Sequence, residues 1–136
     1  MWIFTRYGFV SVACASRQDG TIDEDTVMVR ARSRQHLVNL KKRFPDTSLG
    51  KAEILASAAT DYEYRVVVPK AVWADILSEL AMEQTWSNFK NEADRFTTRK
   101  KMARGYVDTL HEIWSIMRSL GAREGNRERS TVIERS

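Results

Sequence analysis

Cysteine, histidine and long apolar runs are scarce in this chain of 136 residues. The single cysteine, Cys14, can form no disulfide within the chain, which favours a reducing compartment and a cytoplasmic location. The two histidines, His36 and His111, have no metal-ligand partner four residues further on, so we expect no metal site and no cofactor. No stretch approaches the ~20 apolar residues that span a bilayer, so we expect no membrane contact. Polar residues such as Thr5 interrupt the apolar N-terminus early, which predicts a first strand instead of a signal peptide.

Basic residues outnumber acidic residues only slightly. The chain carries 22 Lys+Arg against 18 Asp+Glu, a formal net charge of +4. This excess permits nucleic-acid binding without requiring it, because binding depends on how cations cluster in space. A hydrophobic fraction of 43% is enough for a packed core of one domain.

Apolar spacing predicts an α+β fold. Gly8, in the Arg6-Tyr7-Gly8 stretch, indicates a tight hairpin or a bulge. The predicted strands cover residues 2–6, 9–15, 26–33, 52–57 and 62–68. The predicted helices cover residues 34–44, 70–84 and 105–120, and residues 85–96 are a further helical candidate.

This order of elements predicts one antiparallel sheet built from hairpins, with two to four helices packed on one face. A ferredoxin-like arrangement is one alternative. We expect a single domain over residues 1–121, because Gly121 is a natural helix stop. Residues 122–136 are charged and poor in large apolar side chains, which predicts a flexible tail.

Five segments resemble a family of small bacterial proteins that have no known activity. They are MWIFTRYGFVS, VMVRARS, TDYEYRVVV, NFKNE and YVDTLHEIW, in that order. The family pattern reads MW-x-FT-x-x-GF-x-S, VRAR, TDY-x-YR and NFK-x-E. The resemblance covers most of residues 1–120 and leaves out the tail. It implies a self-contained cytoplasmic unit, and it supplies no activity, cofactor or substrate.

Arginines and tyrosines mark two of the predicted strands. If Arg30, Arg32 and Arg65 meet on one face of the sheet, they form a site for phosphate or carboxylate, because guanidinium groups bind both in a bidentate manner. Tyr64 is then a candidate for stacking on a base. The alternative is that each arginine pairs with a nearby acid on a solvated face, where an exposed pair contributes only about 0–1 kcal/mol.

Residues 85–104 carry two further candidate sites. Trp86 and Lys90 belong to a stretch that mixes aromatic, amide and basic groups, which is typical of single-stranded nucleic-acid binding but also of helix anchoring. A run of five cations follows, and it can attract a phosphate backbone or remain a solvated helix. The run comprises Arg95, Arg99, Lys100, Lys101 and Arg104.

Together these patterns predict a non-enzymatic binding or regulatory module. Its partner is expected to be nucleic acid or a nucleic-acid-handling protein complex. One alternative is a protein–protein adaptor or inhibitor that uses the last amphipathic helix, which could also form a homodimer. Another is a small metal-independent nuclease in which His36, Arg30 and Tyr64 converge. Cys14, within a strand, is expected to be an inert core residue.

Overall fold

The chain divides into two compact units, Met1–Ser87 (unit 1) and Asn88–Ser136 (unit 2). The computed structural model describes the backbone of residues 1–100 and 105–135, and the side chains of residues 1–97 and 105–130. Unit 1 contains β1 (Trp2–Thr5), β2 (Gly8–Ser16), β3 (Ile22–Ala31), α1 (Arg34–Arg43), α2 (Ser48–Lys51), β4 (Leu55–Ala56), β5 (Tyr64–Pro69) and α3 (Lys70–Met82); unit 2 contains α4 (Phe89–Lys100) and α5 (Gly105–Arg135).

The predicted hairpin at the N-terminus is confirmed. Thr5 pairs with Gly8 across a two-residue turn, so β1 and β2 are antiparallel neighbours. Gly8 has a φ of 141°, and a Cβ atom at this position would lie 2.3 Å from Cγ of His36. Only glycine satisfies both conditions, which explains its place at the turn.

The five strands form one antiparallel sheet in the order β1-β2-β3-β5-β4, which confirms the predicted α+β class. α1 and α3 both contact the central strands. The core lies between these helices and one face of the sheet, where Val29, Val66 and Leu37 are all fully buried. The three-strand meander that opens the chain is not the split βαβ pattern of a ferredoxin-like fold, so that alternative is wrong.

A short helix that the sequence pattern did not predict follows Pro45. The Thr47 side chain caps α2 by accepting from the backbone N–H of Gly50. Lys41 donates from Nζ to the carbonyl oxygens of Leu49, Gly50 and Ala52. A lysine on α1 therefore satisfies the carbonyl groups at the end of α2.

Unit 2 differs from the prediction for the end of the chain. α5 continues through Gly121 to Arg135, whereas the sequence predicts a stop at Gly121 and a tail after it. Glycine inside a helix costs about 1 kcal/mol, and the Arg and Glu residues that follow are strong helix formers. The interior glycine therefore does not end the helix. The expected single domain over residues 1–121 corresponds to unit 1 together with the first part of unit 2.

Candidate nucleic-acid interface

Strand register places two different surfaces on the two faces of the unit 1 sheet. Val12, Val29 and Val66 are directly opposite one another, and all three are buried on the face that α1 and α3 cover. Because successive residues of a strand point to opposite faces, the neighbouring row must point away from these helices. That row contains Ser11, Arg30 and Arg65.

Aromatic rings lie on the same face as this row. Trp2 pairs with Ser11 and Phe4 pairs with Phe9, so all four side chains share the face. The Phe4 and Phe9 rings are stacked with centroids 4.6 Å apart, and the Trp2 ring meets Phe9 edge-on at 5.8 Å. Trp2 is 69% exposed, so its ring is accessible to a ligand.

Tyr62 joins the rings to the arginines. Its ring centroid lies 6.4 Å from that of Phe9. The guanidinium carbons of Arg30 and Arg32 lie 4.9 Å and 4.3 Å from the Tyr62 centroid, within cation–π range. Arg65 donates to the Tyr62 carbonyl oxygen, so three guanidinium groups converge around one tyrosine.

We call this surface the arginine–aromatic face. It consists of Trp2, Phe4, Phe9, Arg30, Arg32, Tyr62 and Arg65.

The arginine–aromatic face keeps a positive charge. Arg32 forms an ion pair with Asp61 at 2.8 Å, and this contact raises the pKa of Arg32. Arg30 donates to Ser11 Oγ at 3.0 Å, and Arg65 donates to Thr60 Oγ1 at 2.7 Å. Among the residues that the structure describes, neither Arg30 nor Arg65 pairs with a carboxylate.

Arg30 and Arg65 are also directly opposite each other on neighbouring strands. Like charges in directly opposite positions destabilise a sheet. An anion bound between the two side chains would remove this repulsion, because each guanidinium can hold it with two hydrogen bonds.

Tyr64, a candidate for stacking, does not lie on the arginine–aromatic face. It pairs with buried Ala31 and precedes Arg65, so it points to the helix-covered face and cannot stack on a ligand bound at Arg30. Tyr62 precedes β5 and does not follow the strand alternation, which is why its ring lies on the side opposite to Tyr64.

Trp86 belongs to a separate polar cluster in unit 1. The Arg6 guanidinium lies 5.1 Å from the Trp86 ring centroid, so an arginine of the same chain already stacks on this ring. Arg6 lies 3.6 Å from Glu83, which also accepts hydrogen bonds from the Tyr7 hydroxyl and from Arg43. These contacts support the anchoring interpretation of Trp86.

The basic residues after position 88 lie in unit 2. Lys90 places its ammonium 4.3 Å from the Trp114 ring centroid, and Arg95 is an exposed side chain 4.0 Å from Glu92. The remaining four candidates of the run cannot be placed: the side chains of Arg99 and Lys100, and all of Lys101 and Arg104, lie outside the described residues.

His36 has a structural role at the hairpin. Its Nδ1 accepts a hydrogen bond from the Phe9 backbone N–H at 3.2 Å, and burial lowers its pKa. Arg30 and Tyr64 point to opposite faces of the sheet, so His36, Arg30 and Tyr64 do not converge as a nuclease site requires. Cys14 pairs with Val27 on the helix-covered face and is half-buried, so it is less enclosed than the core residue that the sequence predicts.

Sequence reasoning missed the aromatic half of the face. Trp2 and Phe4 are two residues apart before the turn, and Phe9 and Ser11 are two residues apart after it. A two-residue turn at Arg6 and Tyr7 sets Phe4 opposite Phe9 and Trp2 opposite Ser11. This register was the signal that could have placed the Trp2, Phe4 and Phe9 rings on one face. The position of Tyr62 had no such signal, because it depends on a bend outside the strand.

Comparison of the chain with protein-family models, with curated proteins and with solved structures finds no match. None of the helices in the described part of the chain has the length and apolar character needed to cross a membrane. Within the same residues, no group of three or more His, Cys, Asp or Glu side chains could hold a metal ion.

Proposed function

We propose that this protein is a binding module for single-stranded nucleic acid and that unit 1 holds the strand on its arginine–aromatic face. The observation that carries the proposal is the pair Arg30 and Arg65, directly opposite each other beside a row of aromatic rings. Unpaired bases stack on aromatic rings whatever their sequence, and arginine holds the phosphates between them.

The two halves of the face have different tasks in this proposal. The exposed Trp2 ring receives a base, with Phe4 and Phe9 behind it as an apolar support. Arg30 and Arg65 hold the backbone phosphate. Arg32 adds little net charge, because it forms an ion pair with Asp61. Its guanidinium lies over the Tyr62 ring and orients it.

A duplex fits this surface less well than a single strand. Bases in a duplex are already stacked on one another, so they cannot also stack on Trp2 unless they are flipped out. Protein side chains meet a duplex mainly through groove edges and phosphates. We therefore expect tighter binding to a single-stranded oligonucleotide than to a duplex of the same sequence at equal salt.

Fluorescence anisotropy with a labelled single-stranded oligonucleotide tests the proposal. Trp2→Ala should weaken binding by about five- to a hundredfold, since a stacked base contributes about 1–3 kcal/mol. Met82→Ala is the matched control, because it also removes an exposed apolar side chain but lies at the end of α3.

Salt dependence tests the cationic half. Each phosphate contact on a single strand contributes about 0.7 to the slope of log affinity against log salt. Arg65→Gln should lower this slope by about that amount, whereas Lys42→Gln, which removes an exposed cation from α1, should leave it unchanged. Absence of binding at low salt, or equal effects of each variant and its control, would refute the proposal.

A further inference from the structure

A second surface lies on α5, where the sequence also predicts an interaction site. Near its start, Tyr106, Val107 and Leu110 are buried, and α4 packs on α5. Further along, large apolar side chains are exposed. They are Trp114 (48%), Ile116 (62%), Met117 (56%) and Leu120 (36%).

The length of α5 explains why these residues are uncovered within unit 2. Lys90, in the first turn of α4, lies over the Trp114 ring, so the N-terminal end of α4 is level with Trp114. Helix α5 has 31 residues and α4 has 12. At about 1.5 Å per residue, α5 extends well beyond the end of its neighbour.

The apolar residues form one stripe. At about 100° per residue, Ile113, Ile116, Met117 and Leu120 fall within an arc of about 100° of the helix surface. We call these four residues the α5 stripe. Trp114 lies on the side that faces α4.

Charged residues along one edge of the α5 stripe have opposite signs at its two ends. Glu112 precedes the stripe and Arg123 follows it, within about 20° of each other around the helix. In a parallel two-fold pair, this edge of one helix would meet the opposite edge of the other, so neither Glu112 nor Arg123 would face its charge partner. In an antiparallel pair, each glutamate faces the arginine of the other copy, so the pattern favours the antiparallel orientation.

The same antiparallel register also matches the apolar side chains. Pairing Glu112 with Arg123 places the two-fold axis between Met117 and Arg118. Leu120 of one copy then lies at a level between Ile113 and Ile116 of the other, which is the knob-into-hole arrangement of packed helices.

We infer that α5 is a homodimer interface and that two copies of the chain pair antiparallel through the α5 stripe. The pairing covers the exposed side chains of Ile116, Met117 and Leu120 in both copies. It is isologous, as expected for a two-fold dimer, and it needs no residue of unit 1. The inference is therefore independent of the proposed nucleic-acid binding.

Mass measurement of the full chain by light scattering or sedimentation tests the inference. The expected mass is twice that of one chain at micromolar concentration, and Leu120→Asp should shift it to the monomer. Ser115→Asp, an exposed position on the opposite side of α5, is the matched control and should leave the dimer intact. A monomeric full chain, or a dimer that Leu120→Asp does not weaken, would overturn the inference.

A charge exchange tests the orientation and does not depend on the apolar variants. Glu112→Arg alone and Arg123→Glu alone should each weaken the dimer, because each places like charges opposite one another. The double variant Glu112→Arg with Arg123→Glu should recover the dimer, since each pair again has opposite signs. If the double variant dimerises no better than the single variants, the antiparallel register is wrong. Circular dichroism of every variant checks that helix content is unchanged.

Discussion

Gly8 and His36 restrict each other at the turn between β1 and β2. The His36 ring occupies the space in which a Gly8 side chain would lie, and His36 Nδ1 accepts the N–H of the next residue, Phe9. The hairpin that presents Trp2 and Phe9 is therefore held by the contact between the half-buried His36 ring and Gly8.

Gly8→Ala should destabilise the fold by about 3 kcal/mol or more, because it adds backbone strain and overlap with His36. Gly20→Ala is the control: Gly20 also has a positive φ, but nothing lies within 4 Å, so we expect a loss of only about 1–2 kcal/mol. Urea unfolding gives both values. In a His36→Ala background the cost of Gly8→Ala should fall; an unchanged cost would show that overlap with the ring is not the cause.

Stability should also depend on the protonation of His36. Burial lowers the folded-state pKa of His36 below its ordinary value of 6.5. The unfolded chain therefore binds the proton more readily, so the stabilisation is present above about pH 6.5 and is lost as the pH falls below it. A proton on Nδ1 would in addition remove the acceptor for the Phe9 N–H.

The free energy of unfolding, measured between pH 8 and pH 5, should fall with pH for the natural chain. His36→Asn should flatten the curve, because the amide oxygen can accept the same hydrogen bond but does not titrate. His111→Asn, at an exposed position on α5, should leave the curve as it is. A curve that stays steep in His36→Asn would assign the pH dependence to another group.

At the scale of elements, Glu83 connects three chain segments. It follows α3 and accepts a hydrogen bond from the Tyr7 hydroxyl at 2.9 Å, in the β1–β2 turn, and another from Arg43 Nε at 2.9 Å, at the end of α1. The Glu83 side chain is only 12% exposed, so water screens these contacts little. Burial raises the pKa of Tyr7, which keeps the phenol protonated as a donor.

Glu83→Gln should reduce the free energy of unfolding by about 1.5–3 kcal/mol, the usual range for hydrogen bonds to a charged group. Glu79→Gln, one turn earlier and exposed, should change it by less than about 0.5 kcal/mol. Chemical denaturation of both variants provides the comparison. Equal effects would mean that Glu83 acts only through the general charge of α3.

Helix α5 shows how an element can depart from its sequence signals. Gly121 ends the apolar periodicity, but the backbone remains helical to Arg135. A glycine ends a helix only where the residues after it favour a non-helical conformation. The Arg and Glu residues that follow Gly121 favour the helix. Strand β4, in contrast, is shorter than predicted. The sequence predicts a strand over residues 52–57, whereas only Leu55–Ala56 pairs with β5.

At the scale of the molecule, unit 1 holds most of the core. Sixteen of the twenty buried hydrophobic residues in the described part of the chain belong to it. The sheet, α1 and α3 all lie within residues 1–87, as does the whole arginine–aromatic face. Unit 1 therefore has what a small domain needs to fold alone.

A fragment of residues 1–87 should fold and unfold cooperatively, with a strand signal in circular dichroism. It should bind a single-stranded oligonucleotide in a manner that Trp2→Ala still weakens. The slope of its affinity against salt should be smaller than that of the full chain if the cations at 95–104 also contact phosphate. A folded fragment that binds nothing would show that unit 2 is required for the interface.

Several parts of the fold and site could be predicted from local pattern. Gly8 predicted the hairpin, Pro45 the end of α1, and the alternation around Val27 and Val29 the central strand. The sequence predicts a site at Arg30, Arg32 and Arg65 only if their strands are neighbours in the sheet. Alternation shows which side chains of one strand share a face, but not which strand lies beside it. The pairing of β3 with β5 supplies that neighbour.

The sequence by itself determined the class of fold, the hairpin and the helix-covered face, since these follow from apolar spacing and turn residues that act over a few positions. Only the tertiary structure decided that Arg30 faces Arg65, that Tyr62 turns towards them, and that the hairpin carrying Trp2 and Phe9 lies beside them. Those contacts join residues far apart in the chain. They depend on strand register and on a bend before β5, and no local pattern encodes either of them.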